Sequence, residues 1–121
     1  MKLLNLFGNK NKIKIVKNIK DPWGFSSNLR GRDHYQDGLK TLFIDGGNIN
    51  DSEVVNHIEV IREPDNKYDK NAIYVTYKGK KIGYISKERV ERLKDVKEIT
   101  DVKLRPYIYK EKYSAEVIFN Y

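Results

Sequence analysis

The chain has 121 residues, a length that fits one domain with a modest core. It contains no cysteine, which excludes disulfides, thiolate metal sites and a cysteine nucleophile. The formal net charge is +7, but residues 1–20 hold six lysines and no acid, leaving 18 basic against 17 acidic residues in 21–121. The body is therefore nearly neutral, and any anion-binding face on it has to be local.

Residues 1–20 read as a basic N-terminal tail and 21–121 as the domain. Met1 to Phe7 is too short for a signal sequence and is followed by Asn and Lys rather than a small-residue cleavage site. No apolar run approaches the 18 or so residues of a transmembrane helix, so a cytoplasmic protein is the default. Leu3, Leu4, Leu6 and Phe7 suit a short partner-docking piece, and Ile13, Ile15 and Val16 suit the start of a strand. The composition favours a partly disordered basic tail over either.

Asp21-Pro22-Trp23-Gly24 is turn material, with the only tryptophan expected against the core. Phe25 to Gly31 is a candidate first strand. His34 to Phe43 suits a short helix, because Tyr35, Leu39, Leu42 and Phe43 share one face and Asp33 is placed to cap it. Gly38 weakens that helix relative to alanine, and Asp45-Gly46-Gly47-Asn48 is a turn. Val54–Ile61 and Ile73–Tyr77 are apolar-alternating and β-branched, which predicts two strands. Lys78-Gly79-Lys80 is a tight hairpin turn, Lys81 to Ile85 its return strand, and Ser86 the cap of a second helix over Lys87–Leu93. A long strand from Val96 to about Tyr109 turns at Glu111 and returns as Tyr113–Tyr121. Pro106 lacks a ladder donor and belongs at an edge or bulge. The pattern predicts a mainly β (α+β) domain, mostly antiparallel, with two short helices.

Between the two central strands lies the polar stretch Glu63-Pro64-Asp65-Asn66-Lys67-Tyr68-Asp69-Lys70-Asn71-Ala72. Pro, Asp and Asn set φ or bond their own backbone, so they can build a rigid turn. Asp65, Asn66 and Asn71 fit that scaffold role. Tyr68 followed by Asp69 is not needed for a turn, and a ring beside a carboxylate also suits recognition. Nine tyrosines and four phenylalanines offer more rings than a core of this size usually takes. Cations gather in residues 78–97, eight basic against three acidic. Rings for stacking and cations for phosphate are what a single-strand binder needs. Tyr35 has two readings, core on the helix face or an exposed ring. Lys87 and Arg89 likewise suit either phosphate contact or a solvated helix face.

The run Glu63 to Ile73, the hairpin after it and Lys81-Ile82-Gly83-Tyr84-Ile85 resemble the HIRAN domain. That module occurs at the N-terminus of helicase-like transcription factor, a Swi/Snf-type remodelling ATPase, and alone in bacterial and phage proteins. Gly31-Arg32-Asp33-His34-Tyr35 is similar to the family's opening motif. The resemblance, over roughly residues 24–121, implies an OB-like small β-barrel that binds single-stranded DNA with a preference for a free 3′-hydroxyl end. It assigns the end nucleotide to Tyr68 and Asp69, further contacts to His34 and Tyr35, and phosphate contacts to Tyr84 and Lys87. The remodeller's arginine before its two aromatics is replaced here by Asp33, with Arg32 one position earlier, and its histidine after the hairpin glycine by Tyr84.

Enzyme motifs are missing. No Gly-x4-Gly-Lys run cradles phosphates and no Gly-x-Ser-x-Gly elbow presents a nucleophile. Asp65 and Asp69 have Lys67 and Lys70 beside them, which opposes a bare Mg²⁺ cluster. His34 and His57 are isolated from each other and do not make a zinc site. The expectation is a non-catalytic module without cofactor or metal that binds single-stranded DNA or its 3′ ends, with Arg32 and the hairpin lysines assisting Lys87. Its rival is an adaptor that recruits a helicase or nuclease through its tail or an exposed strand edge.

Overall fold

A computed structural model describes residues 10–121. The Leu3-Leu4-Leu6-Phe7 cluster falls outside the described residues. Among the described residues seven strands are formed: β1 (Lys14–Ile15), β2 (Gly24–Asn28), β3 (Ile58–Arg62), β4 (Ile73–Tyr77), β5 (Lys80–Tyr84), β6 (Glu98–Tyr109) and β7 (Lys112–Asn120). A helix α1 (Gln36–Asp45) lies between β2 and β3, preceded by a 3₁₀ turn over Arg32–His34. A short helix α2 (Lys87–Val90) follows β5 and continues as a 3₁₀ turn over Glu91–Leu93. The fold is mainly β with two helices, as the alternation predicts.

The strands form two sheets, ordered β1-β6-β7-β2 and β3-β4-β5, antiparallel except for β1 beside β6. Single bridges stitch them together on both sides. At one seam Arg30 and Tyr84 exchange backbone hydrogen bonds of 2.8 and 3.0 Å. At the other, Ile13 donates to the Val60 carbonyl and Arg62 to that of Asn11, both at 2.8 Å. The described residues thus form two stitched sheets, not the single closed barrel that the resemblance implies. Ile13, Val60, Ile73, Val75, Ile82, Leu104, Val117 and Phe119 fill the space between them, all buried. Because Ile13 is core and β1 pairs with β6, the packed body includes residues that precede 21.

Gly83 makes the first seam possible. Its φ is +150°, and a Cβ there would sit 2.8 Å from the Leu29 Cβ and 2.9 Å from the Arg30 carbonyl oxygen. Gly38 has a packing reason too: a Cβ would lie 2.9 Å from the Lys81 carbonyl oxygen, so its absence lets α1 press against β5. Both acids of α1 reach the β4–β5 hairpin. Asp45 accepts from the Tyr77 hydroxyl at 2.7 Å and pairs with Lys78 at 2.8 Å, and Asp37 pairs with Lys80 at 3.1 Å. The hairpin turn places positive φ at Lys78 and Gly79, and Lys110 and Glu111 do the same in the β6–β7 turn.

Several local expectations are corrected. Asp33 does not cap α1; it lies in the 3₁₀ turn and its carboxylate takes a 2.7 Å bond from Lys112, while Tyr35 holds the N-cap position without a side-chain bond. Ser86 sits at the N-cap of α2, yet its side chain makes no capping bond. Trp23 is 67% exposed and is held by backbone bonds to Tyr121 instead of by the core. The strand expected over Val54–Ile61 is broken at His57, where φ is +64°, leaving Val54 as an isolated bridge to Leu104. The edge position expected of Pro106, by contrast, is found: it is a buried member of β6 beyond the short β1 pairing, and its carbonyl accepts from the Asp51 N–H.

Candidate nucleic-acid interface

The loop between β3 and β4 is built by its own side chains. Asn66 Oδ1 accepts from the N–H groups of Tyr68 (2.8 Å) and Asp69 (3.0 Å), and its Nδ2 donates to Glu63 Oε1 at 2.7 Å. Asp69 Oδ1 accepts from the Asn71 N–H at 2.8 Å. The loop's mouth is closed by the Glu63 N–H bonding the Ala72 carbonyl. Its base is anchored by Arg62, whose guanidinium donates to the carbonyls of Leu93 and Val96. Local side-chain bonds of this kind replace ladder bonds that a ten-residue loop cannot make.

Glu63 also fastens the loop to β5. It accepts from the Tyr84 hydroxyl at 2.7 Å and pairs with Lys81 at 3.5 Å. Lys81 donates to the Tyr84 hydroxyl at 3.1 Å and lies 4.2 Å from the Tyr74 ring centroid, 5.0 Å from that of Tyr84 and 5.8 Å from that of Tyr35. Partial burial pushes the Glu63 carboxyl up, but hydrogen bonds from Asn66 and Tyr84 and the Lys81 charge more than offset it and hold its pKa below the ordinary value. For Tyr84, burial and the bond to Glu63 raise the phenol against the opposing Lys81. The Tyr84 hydroxyl proton is thereby committed to Glu63. Tyr84 can offer a ring edge, but that donor is not pointed at a ligand.

A cavity of about 440 Å³ opens beside this network, lined by Arg30, Tyr35, Asn66, Tyr68, Asp69, Ala72, Tyr84, Ile85 and Lys87. Five residues expected at the site therefore come together: Tyr35, Tyr68, Asp69, Tyr84 and Lys87. Tyr68 is 91% exposed, and its ring takes part in none of the ring–ring or cation–ring contacts found among the described residues. Tyr35 is only partly buried; its ring centroid lies 6.3 Å from that of Tyr84. Asp69 is the one carboxylate in the lining.

Two expected residues are placed elsewhere. Arg32 turns to the β6–β7 hairpin, where Nη1 donates to the Tyr109 carbonyl and the Ser114 hydroxyl, each at 2.7 Å. His34 is exposed outside the cavity lining, edge-on to Tyr35. Arg30 lines the cavity instead. It was missed because the Arg30–Tyr84 bridge that brings it there joins residues distant in sequence. The hairpin lysines Lys78 and Lys80 face the acids of α1. Arg89 bonds the Ser26 carbonyl, and Arg92 lies over the rings of Phe25 and Tyr121. Of the basic 78–97 segment, Lys87 reaches the cavity wall. Glu63 and Lys81, which hold the loop in place, were not singled out; their only sequence signal was position next to the loop and the hairpin glycine.

Among the described residues no helix is long and apolar enough to cross a membrane, and no three His, Cys, Asp or Glu residues gather as a metal site. Comparison with curated proteins and comparison with solved structures each give no match. The family model that matches is that of the HIRAN domain, over residues 25–117, a span that includes every residue of the cavity lining. The chain therefore belongs to the HIRAN domain family and is a nucleic-acid-binding module.

Proposed function

We propose that this module binds single-stranded DNA at a free 3′-hydroxyl end, without catalysis. The observation that carries the reading is Tyr68: a ring 91% exposed, held by a loop whose polar groups are bonded to one another, directly before the cavity's one carboxylate. An aromatic face displayed to solvent on a rigid support costs little ordering when a base stacks on it. Asp69 Oδ1 takes the Asn71 N–H, which fixes the carboxylate's orientation. An ionised carboxylate accepts hydrogen bonds only. It therefore favours a terminal sugar hydroxyl, a donor, and repels a terminal phosphate. Arg30 and Lys87, on the cavity wall, supply the cations for the phosphate that links the last two nucleotides.

The same arrangement favours binding over hydrolysis. A two-metal phosphodiesterase site needs several carboxylates around one point, whereas Asp69 stands alone in the lining and Asp65 is exposed outside it. The module would hold an end for a separate DNA-processing enzyme, a helicase or nuclease, inside the cell. Fluorescence anisotropy with matched oligonucleotides ending in 3′-hydroxyl or 3′-phosphate tests the reading. Tighter binding of the hydroxyl form is expected. Equal affinity for both would remove end recognition, and no binding at low salt would remove the DNA reading altogether.

A further inference from the structure

The end cavity does not absorb a second group of rings and cations beside it. Arg30 lines the cavity, and past Gly31 the chain carries Arg32 over the β6–β7 hairpin. The Arg32 guanidinium lies 5.4 Å from the Tyr109 ring centroid, and Lys110 Nζ is also 5.4 Å from that ring. Tyr109 is 54% exposed. Tyr107, two residues earlier on β6 and so on the same strand face, donates its hydroxyl to Asn28 Oδ1 at 3.0 Å. Burial raises the Tyr107 phenol, the charges of Arg32 and Arg30 oppose that rise, and those of Glu116 and Asp51 add to it, so both guanidinium groups act on this residue alongside two carboxylates. Of the acids on this side, Asp33 pairs with Lys112 at 2.7 Å and Glu116 faces Arg105 at 3.9 Å, while Asp51 acts on Tyr107 and Glu111 is exposed in the turn beside Lys110.

We infer that Arg30, Tyr107, Arg32, Tyr109 and Lys110 form a track for the nucleotides preceding the terminal one, leading a single strand out of the end cavity. The inference rests on the end-binding reading. Rings alternating with cations are what a sequence-tolerant single-strand surface requires, since bases stack on the rings while phosphates meet the cations. At a rise of about 3.4 Å per residue, Tyr107 and Tyr109 stand roughly 7 Å apart along β6, so each can take a separate base of an extended strand. Arg32 is already fixed by its bonds to the hairpin, and Tyr109 is braced by it. Little side-chain freedom is then lost when a strand settles on them.

The test is an NMR titration of ¹⁵N-labelled protein with a thymidine dinucleotide and an octanucleotide, both ending in 3′-hydroxyl, on wild type, Tyr68→Ala and Tyr109→Ala. The dinucleotide is expected to shift amide signals around Tyr68 and Asp69 alone, and the octanucleotide also those of Arg32, Tyr109 and Lys110. Tyr109→Ala, a change at an exposed hairpin position, is expected to weaken the octanucleotide about tenfold and leave the dinucleotide unchanged. If Tyr109→Ala changes neither ligand while Tyr68→Ala weakens both, the track is overturned and the end cavity stands. Equal weakening of both ligands by Tyr109→Ala overturns the track as well, because that residue would then belong to the end site. Octanucleotide binding that needs Tyr109 but not Tyr68 removes the end cavity, and with it a track that leads out of that cavity, leaving Tyr109 as a strand contact by itself.

Discussion

Two concave regions of this molecule differ in a way that size alone would misjudge. The larger, about 780 Å³, runs along β1 and the start of β6 past the 53–58 segment; Ile15, Val55, His57, Asp101 and Lys103 are among its lining. The smaller, about 440 Å³, lies under the Asn66–Asp69 loop. In the larger groove the charges offset: Lys103 pairs with Glu53 at 3.3 Å, and Asp101 accepts from the Asn120 amide at 3.0 Å. It holds no tyrosine or tryptophan; its phenyl ring, Phe119, is 1% exposed, and its exposed ring is the imidazole of His57. The smaller cavity sets three tyrosines beside two cations and a single acid. A groove whose two lysines and two carboxylates balance presents a nucleic acid with little net charge, whereas displayed rings and cations offer both stacking and charge. On the proposed reading, displayed chemistry rather than volume marks the smaller cavity as the interface.

The strongest way to break that contrast is Tyr68→Ala. Its ring makes no intramolecular ring contact, so folding stability should stay within about 0.5 kcal/mol of wild type. Single-strand affinity should fall by about 1–3 kcal/mol, the value of one stacked base. Anisotropy and thermal melting, measured together, check both halves. A large drop in melting temperature would mean that the ring supports the loop rather than a ligand.

Asp69→Asn comes next and sharpens the role of the carboxylate. The amide keeps an oxygen for the Asn71 N–H but loses the charge proposed to separate hydroxyl from phosphate ends. Wild-type preference for the 3′-hydroxyl form, about 1.5–3 kcal/mol for a hydrogen bond to a charged group, should shrink towards zero. Affinity for the 3′-phosphate oligonucleotide should rise. Unchanged discrimination in this variant would move end selection away from Asp69.

How far the sequence discloses the site follows from how local each contact is. The loop was legible because its builders act on near neighbours: Asn66 bonds residues two and three ahead, and Asp69 bonds two ahead. The hairpins were legible for the same reason. Asp33 as a cap failed because Lys112, 79 residues away, claims its carboxylate. Arg30 went unseen, and Arg32 was expected in its place, because only the seam to Tyr84 decides which arginine meets the cavity. The cation cluster of 78–97 looked like one basic face, but folding hands Lys78 and Lys80 to acids on α1. Pairing across the fold, not composition, distributes charge.

A smaller effect is expected from Glu63→Gln, which loosens the loop without touching a ligand. The folded-state pKa of Glu63 lies below its ordinary value of 4.5. Its contribution is therefore fully present above pH 4.5 and is lost as pH falls through the lower folded value. Wild-type binding should weaken over that acidic range, whereas the variant should be weaker from neutral pH downwards and flatter. A loss of about 1 kcal/mol, or roughly 4 °C in melting temperature, is expected at pH 7. Parallel pH curves for the two proteins would show that Glu63 does not hold the loop in its ionised form.

The smallest effect should come from the larger groove. Val55 is 60% exposed there and enters no core cluster. Val55→Ser removes apolar surface from the groove without changing its charge, so both stability and oligonucleotide affinity should stay within about 0.5 kcal/mol of wild type. The measurement is the same anisotropy series that tests Tyr68→Ala, run at one salt concentration, because single-strand affinity shifts with ionic strength by itself. Val55 and Tyr68 line different cavities that share no lining residue, so their effects should also add in the double variant. A loss from Val55→Ser comparable to that from Tyr68→Ala would reverse the contrast between the two regions. The interface would then follow the larger volume after all.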